Sequence, residues 1–97
     1  MIPKPFWIMF GIDASIKNVS VLGFSDKAEA DALSLAKSRA TAKMSVRIFD
    51  MSESVEKQCP LILAWFISCG MSYADARQVL FGIANKMVEK MKKESHS

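Results

Sequence analysis

The run Cys59-Pro60-Leu61-Ile62-Leu63-Ala64-Trp65-Phe66-Ile67-Ser68-Cys69 has ten apolar or proline residues in eleven, and it lies inside an otherwise mixed chain. It has no amphipathic period, so a helix built from it is apolar on every side. Such a helix must be covered all round. A chain of 97 residues buries about two-thirds of the surface its unfolded form exposes, enough for one modest core. Either the rest of the domain wraps this segment or another protein does.

Length favours a single domain over residues 1–97. Hydrophobic residues make up 51 % and charged residues 24 %, a balance that argues against intrinsic disorder. Seven methionines suit either an imperfect core or a surface that moulds to a partner. The net charge is +3 and evenly spread, with 7 basic and 5 acidic groups in residues 1–50 and 6 and 5 in residues 51–97. That permits nucleic-acid binding without marking the chain as a dedicated binder. Cys59 and Cys69 are ten apart, roughly 15 Å on one helix, too far for a disulfide. Free, buried thiols are expected, which fits a reducing bacterial cytoplasm. Two prolines and the lack of a small-x-small site argue against reading Met1–Phe10 as a secretory signal. No stretch reaches the roughly 18 apolar residues of a membrane span.

Along the chain, Pro3 and Pro5 make residues 1–5 an extended lead-in. Phe6–Ile12 is aromatic and β-branched, a strand apolar on both faces and therefore central or covered on both sides. A turn at Asp13-Ala14-Ser15 leads to a second strand, Lys17–Phe24, in an antiparallel hairpin. Asp26 as N-cap with Glu29 at N3 opens a helix to about Lys43, its inner face Leu33, Ala36 and Ala40 with Leu35 on the flank. Met44–Phe49 alternates as a third strand, Val46 and Ile48 inward. The expectation for residues 6–50 is a β-β-α-β unit with an antiparallel-type sheet.

Residues 51–93 read as a helical half of two or three helices. Asp50-Met51-Ser52-Glu53 offers a capping start, and Pro60 is expected to kink or split the first helix near residue 59, or to open a new one. Gly70 suits a helix C′ position, and Ser72-Tyr73-Ala74-Asp75 caps a last helix to about Lys93. Ala76, Leu80, Ile83, Met87 and Met91 follow helical spacing, and Phe81 and Val88 widen the stripe. Residues 94–97 are expected to fray. The fold class is α+β.

No catalytic or metal motif stands out, no cofactor is expected, and an enzyme ranks last. A histidine base must be held in place, and the single histidine, His96, is second from the end. The glycines are isolated, so no phosphate-cradling loop is present. Helix-dipole interactions account for Asp26, Glu29 and Asp31, and for Glu53 and Glu56, without acid/base catalysis. Two surfaces remain. One is apolar, with Leu61, Trp65, Phe66, Phe81 and Met87 as candidate partner-binding residues. The other is basic, with Arg77, Lys86, Lys90 and Lys93 as candidates for nucleic acid or an acidic partner. Base readout by a helix-turn-helix over residues 60–93 is disfavoured, because the charge lies at the far end of the would-be recognition helix.

The segment Ala32-Leu33-Ser34-Leu35-Ala36-Lys37-Ser38-Arg39-Ala40-Thr41, between a hairpin and the strand Val46-Arg47-Ile48, resembles the strand-helix-strand core of some small anti-CRISPR proteins. Size, mild basicity and the helical C-terminal half are similar to the accessory proteins by which lambdoid phages modify the host RecBCD nuclease. The resemblance implies a non-enzymatic phage protein that binds a host protein complex acting on nucleic acid and alters its activity. The alternatives are a small basic nucleic-acid-binding protein and a structural homo-oligomer.

Overall fold

β1 (Trp7–Asp13) is the middle strand of a three-stranded antiparallel sheet of order β2-β1-β3, with β2 at Asn18–Ser25 and β3 at Met44–Asp50. This is a computed structural model, and it describes residues 4–95. Met1, Ile2, Pro3, His96 and Ser97 lie outside the described residues, and with them most of the expected lead-in and the end of the expected frayed tail. α1 (Glu29–Arg39) connects β2 to β3 and packs on all three strands. α2 (Val55–Ser68) and α3 (Tyr73–Ser95) follow. The expected α+β architecture, a sheet followed by C-terminal helices, is the one observed.

β1 explains why the sheet is covered on both sides. Its side chains alternate between faces, and both sets are apolar. Phe6, Ile8, Phe10 and Ile12 point into the main core beside Phe49, Ile62, Trp65, Phe66, Leu80 and Met87. Met9 is fully buried on the opposite face, the side of α1, where Ala32 and Ala36 are also fully buried. Gly23 is the position that favours glycine, because its φ of +134° strains any side chain; a Cβ on Gly11 would press on the Met44 sulfur at 2.8 Å, which would have to shift. The main core centres on four rings. Phe10 meets Phe49 at 6.0 Å, Trp65 at 6.2 Å and Phe66 at 5.5 Å between centroids.

The turn between β1 and β2 is held by Asp13, whose carboxylate accepts from the backbone and the hydroxyl of Ser15 at 3.0 and 2.6 Å. Lys17 adopts φ +52° there. A bulge lies in β2 where the register shifts between Met9 and Phe10, so that Gly23 opposes Met9 and Val21 opposes Phe10.

Local expectations at the helix ends need correction. α1 begins at Glu29 with Ala28 in the cap position and no side-chain cap. Asp26 instead sits 3.8 Å from the Lys4 ammonium. α1 also stops at Arg39, because Ala40 is extended at ψ 154°, and not at Lys43. The start of α2 is capped by Ser54, which accepts from the Lys57 N–H at 3.3 Å, and not by the residues following Asp50. Asp50 accepts from the backbone N–H groups of Phe6 and Ser52 at 3.0 and 2.9 Å. It thereby ties the start of β1 to the exit of β3. Burial pushes its carboxyl pKa up, but the donated N–H groups outweigh that and hold it below the ordinary value of 3.8. A depressed folded pKa contributes stability above the unfolded value and loses it as pH falls through the folded value. Asp50→Asn should therefore flatten the acid limb of the stability curve below about pH 4; an unchanged limb would remove this role.

Pro60 does not split α2, which runs unbroken from Val55 to Ser68 with Pro60 inside it. Pro60 is exposed, so its ring stands in solvent, but the carbonyl of Glu56 loses its usual donor. An interior proline is about 3 kcal/mol less favourable than alanine. Pro60→Ala should stabilise the protein by roughly 1–3 kcal/mol, read by chemical denaturation. A destabilised variant would mean that the proline ring makes a contact the fold needs. At the other end, Gly70 at φ +102° closes α2. Its N–H reaches the Ile67 carbonyl at 2.9 Å, and Met71 N–H reaches Phe66 at 3.3 Å. This is a Schellman turn, and it puts the buried Met71 back in the core. α3 is capped as expected, with the Ser72 hydroxyl accepting from Asp75 N–H at 3.2 Å. α3 continues two residues past Lys93, to Ser95.

Candidate partner-binding surface

α2 and α3 form a helical hairpin that lays one side on the aromatic face of the sheet. From Cys59 to Ile67 α2 is apolar all round, so its inward side and its outward side there have the same chemistry. Ile62, Trp65 and Phe66 face in and are buried. Pro60, Leu61, Ala64 and Ile67 are exposed. α3 turns Ala76, Leu80 and Met87 inward, with Ile83 and Met91 half-buried beside them. Its exposed side carries Tyr73, Phe81 and Val88.

The structure therefore divides the expected apolar set. Trp65 is 9 % exposed, and Phe66 and Met87 are 0 % exposed. They are core residues, not a surface available to a partner. Leu61 is 53 % exposed and Phe81 76 %. These two remain as surface residues, joined by Ile67, Tyr73 and Val88. Tyr73 is not among the candidates drawn from the sequence. The available signal was its spacing of eight from Phe81, which places both on one side of α3.

The basic set also divides. At roughly 100° per residue, Arg77 lies about 40° from Phe81 around α3, whereas Lys86, Lys90 and Lys93 lie about 120–180° away. Arg77 borders a shallow concavity of about 430 Å³ with Tyr73, Ala74, Gln78 and Phe81. Lys90 is half-buried, with its ammonium 5.5 Å from the centre of the Phe24 ring. Lys86 and Lys93 are exposed. Arg77 thus belongs to the apolar side of α3, and the three lysines do not form one surface with it.

Both cysteines are free and half-buried. Burial, and then the neighbouring charge of Glu56, push the Cys59 thiol above its ordinary value of 9.0, which disfavours the thiolate needed for nucleophilic attack. Among the described residues no group of three or more His, Cys, Asp or Glu side chains is placed to hold a metal ion. Among the described residues no helix is long and apolar enough to cross a membrane.

No family model, curated protein or solved structure matches this chain.

Proposed function

We propose that this chain is a non-enzymatic protein-binding module that docks through the outer side of its helical hairpin. In keeping with the resemblance drawn from the sequence, its target is a protein complex of a bacterial host that acts on nucleic acid, whose activity it modulates. The observation that carries the reading is Phe81, a large aromatic 76 % exposed in the middle of a regular helix. Phe81 has no packing role to explain it. With Tyr73 and Val88 it makes an apolar stripe, and Arg77 stands at the stripe's side. Aromatic and arginine side chains are the types that dominate binding energy in protein interfaces. A complementary target offers an apolar cleft for the Phe81 ring and a carboxylate for Arg77.

Affinity capture from a nuclease-treated bacterial lysate tests the reading. One protein recovered in stoichiometric amount by the wild type supports it. Recovery of nucleic acid alone before nuclease treatment, with binding that falls steeply as salt rises, moves the assignment to nucleic-acid binding through Lys86, Lys90 and Lys93. A mass that rises with protein concentration in sedimentation moves it to a homo-oligomer.

A further inference from the structure

β3 is an edge strand, among the described residues no other element hydrogen-bonds to its outer side, and the two edges of the sheet are not alike. The Met51 N–H donates to the Phe6 carbonyl at 2.7 Å. Phe6 and Met51 are thus a hydrogen-bonded pair one step beyond the Trp7–Asp50 pair. Hydrogen-bonded pairs alternate along an antiparallel ladder, so Phe49, Arg47 and Ser45 direct their main-chain groups toward β1. Val46 and Ile48 direct theirs away from the sheet. β3 spans seven residues with no proline and no register shift against β1. The opposite edge is blocked. β2 carries the bulge, and its Leu22 carbonyl is taken by the Arg39 guanidinium at 2.9 Å. Natural sheets protect edges with bulges, prolines, charged side chains or covering groups; along Val46–Ile48, among the described residues, β3 carries only the charge of Arg47.

We propose that the β3 edge binds an extended segment of a partner protein by strand addition, and that the segment has an acidic residue opposite Arg47 between two apolar residues opposite Val46 and Ile48. Main-chain bonds to Val46 and Ile48 supply affinity, and alternate side chains supply selectivity. Val46 and Ile48 are half-buried on the α1 side of the sheet, so they favour apolar neighbours in the added strand. Arg47 is exposed on the other side, 4.9 Å above the Phe49 ring. Among the described residues no carboxylate pairs with it, and the nearby Asp50 already accepts two backbone N–H groups. Opposite charges directly across a strand pair are favourable, and like charges are not. That rule also speaks against a second copy as the occupant. Antiparallel pairing of two β3 strands over their full length sets Arg47 against Arg47.

The test uses the full chain and a capped heptapeptide in which valine alternates with threonine and an aspartate replaces the central threonine. The proposal expects saturable binding, with the amide resonances of Val46 and Ile48 among the most shifted in NMR titration. N-methylation of the two valines flanking the aspartate should weaken binding at least tenfold, because it removes the two N–H donors aimed at β3. Arg47→Glu should reverse the preference toward a lysine-centred peptide. No saturable binding, equal binding of the N-methylated peptide, or shifts confined to β2 or α3 would overturn the proposal. So would self-association of the protein abolished by Val46→Pro, which would give the edge to a second copy. The N–H of Val46 points away from β1, so this proline leaves the β1–β3 ladder bonds in place.

Discussion

Phe10→Ala is expected to destabilise the protein by about 3–5 kcal/mol, lowering the thermal midpoint by roughly 15–30 °C. Phe10 is fully buried on the central strand, and its ring touches Phe49, Trp65 and Phe66. Removing it deletes the side chain that joins sheet to helical hairpin. The void would be lined by aromatic rings fixed on two different elements, Phe49 on β3 and Trp65 and Phe66 on α2, which restricts how far the site can collapse. A domain of this size has a total stability of roughly 5–15 kcal/mol, so the loss is a large fraction of the total. Phe66→Ala should behave similarly, because Phe66 is fully buried and its ring packs against Phe10 and Trp65. A change under about 1 kcal/mol in either variant would show that the aromatic centre does not organise the fold.

The opposite result is expected a short distance away. Phe81→Ser should leave the thermal midpoint within a few degrees of wild type, because surface substitutions lie within about 0.5 kcal/mol. The same change should weaken partner binding by about 2 kcal/mol or more, which is roughly 30-fold, the range of an interface hot spot. Leu61→Ser belongs to the same class, with a smaller expected effect, because Leu61 is less exposed than Phe81 and lies on α2. The pair Phe81→Ser and Phe10→Ala separates surface from core by two independent readings, thermal unfolding and binding. If Phe81→Ser unfolded the chain, the ring would have to be a packing residue, contrary to its position. If it left binding intact, the docking surface would have to lie elsewhere.

Much of the fold could be read from local chemistry. The two apolar faces of Phe6–Ile12 require cover on both sides, and α1 and the hairpin supply it. Gly70 and Ser72 mark the turn between α2 and α3 because each provides a local interaction that needs no distant partner. The start of α1 departs from its local capping motif, with Asp26 lying beside the ammonium of Lys4 instead. Ser54 rather than Asp50 caps α2, because Asp50 is drawn to the N–H of Phe6, 44 residues away in sequence. Long-range competition of this kind leaves no trace in a local motif.

The candidate surface was legible only in part, for a physical reason. Burial is recovered from sequence through contrast between polar and apolar positions. On α3 that contrast exists: Ala76 and Leu80 follow the buried spacing, whereas Met87, grouped in the sequence with Phe81, is on the buried side. On α2 it does not. Trp65 and Phe66 are indistinguishable in chemistry from Leu61 and Ile67, and only the sheet beneath decides which pair is inside. The separation of Arg77 from the lysines was available from helical geometry, since residue 77 is nine positions from residue 86 and so lies on the other side of α3.

The most direct test of the central claim places a photo-crosslinking side chain at position 81, and in a second protein at position 86, for use in a bacterial lysate. The account predicts one protein crosslinked in high yield from position 81, surviving nuclease treatment, and little or none from position 86. Crosslinks from position 86 alone, or adducts from either position that consist of nucleic acid, would contradict docking through the exposed side of the helical hairpin.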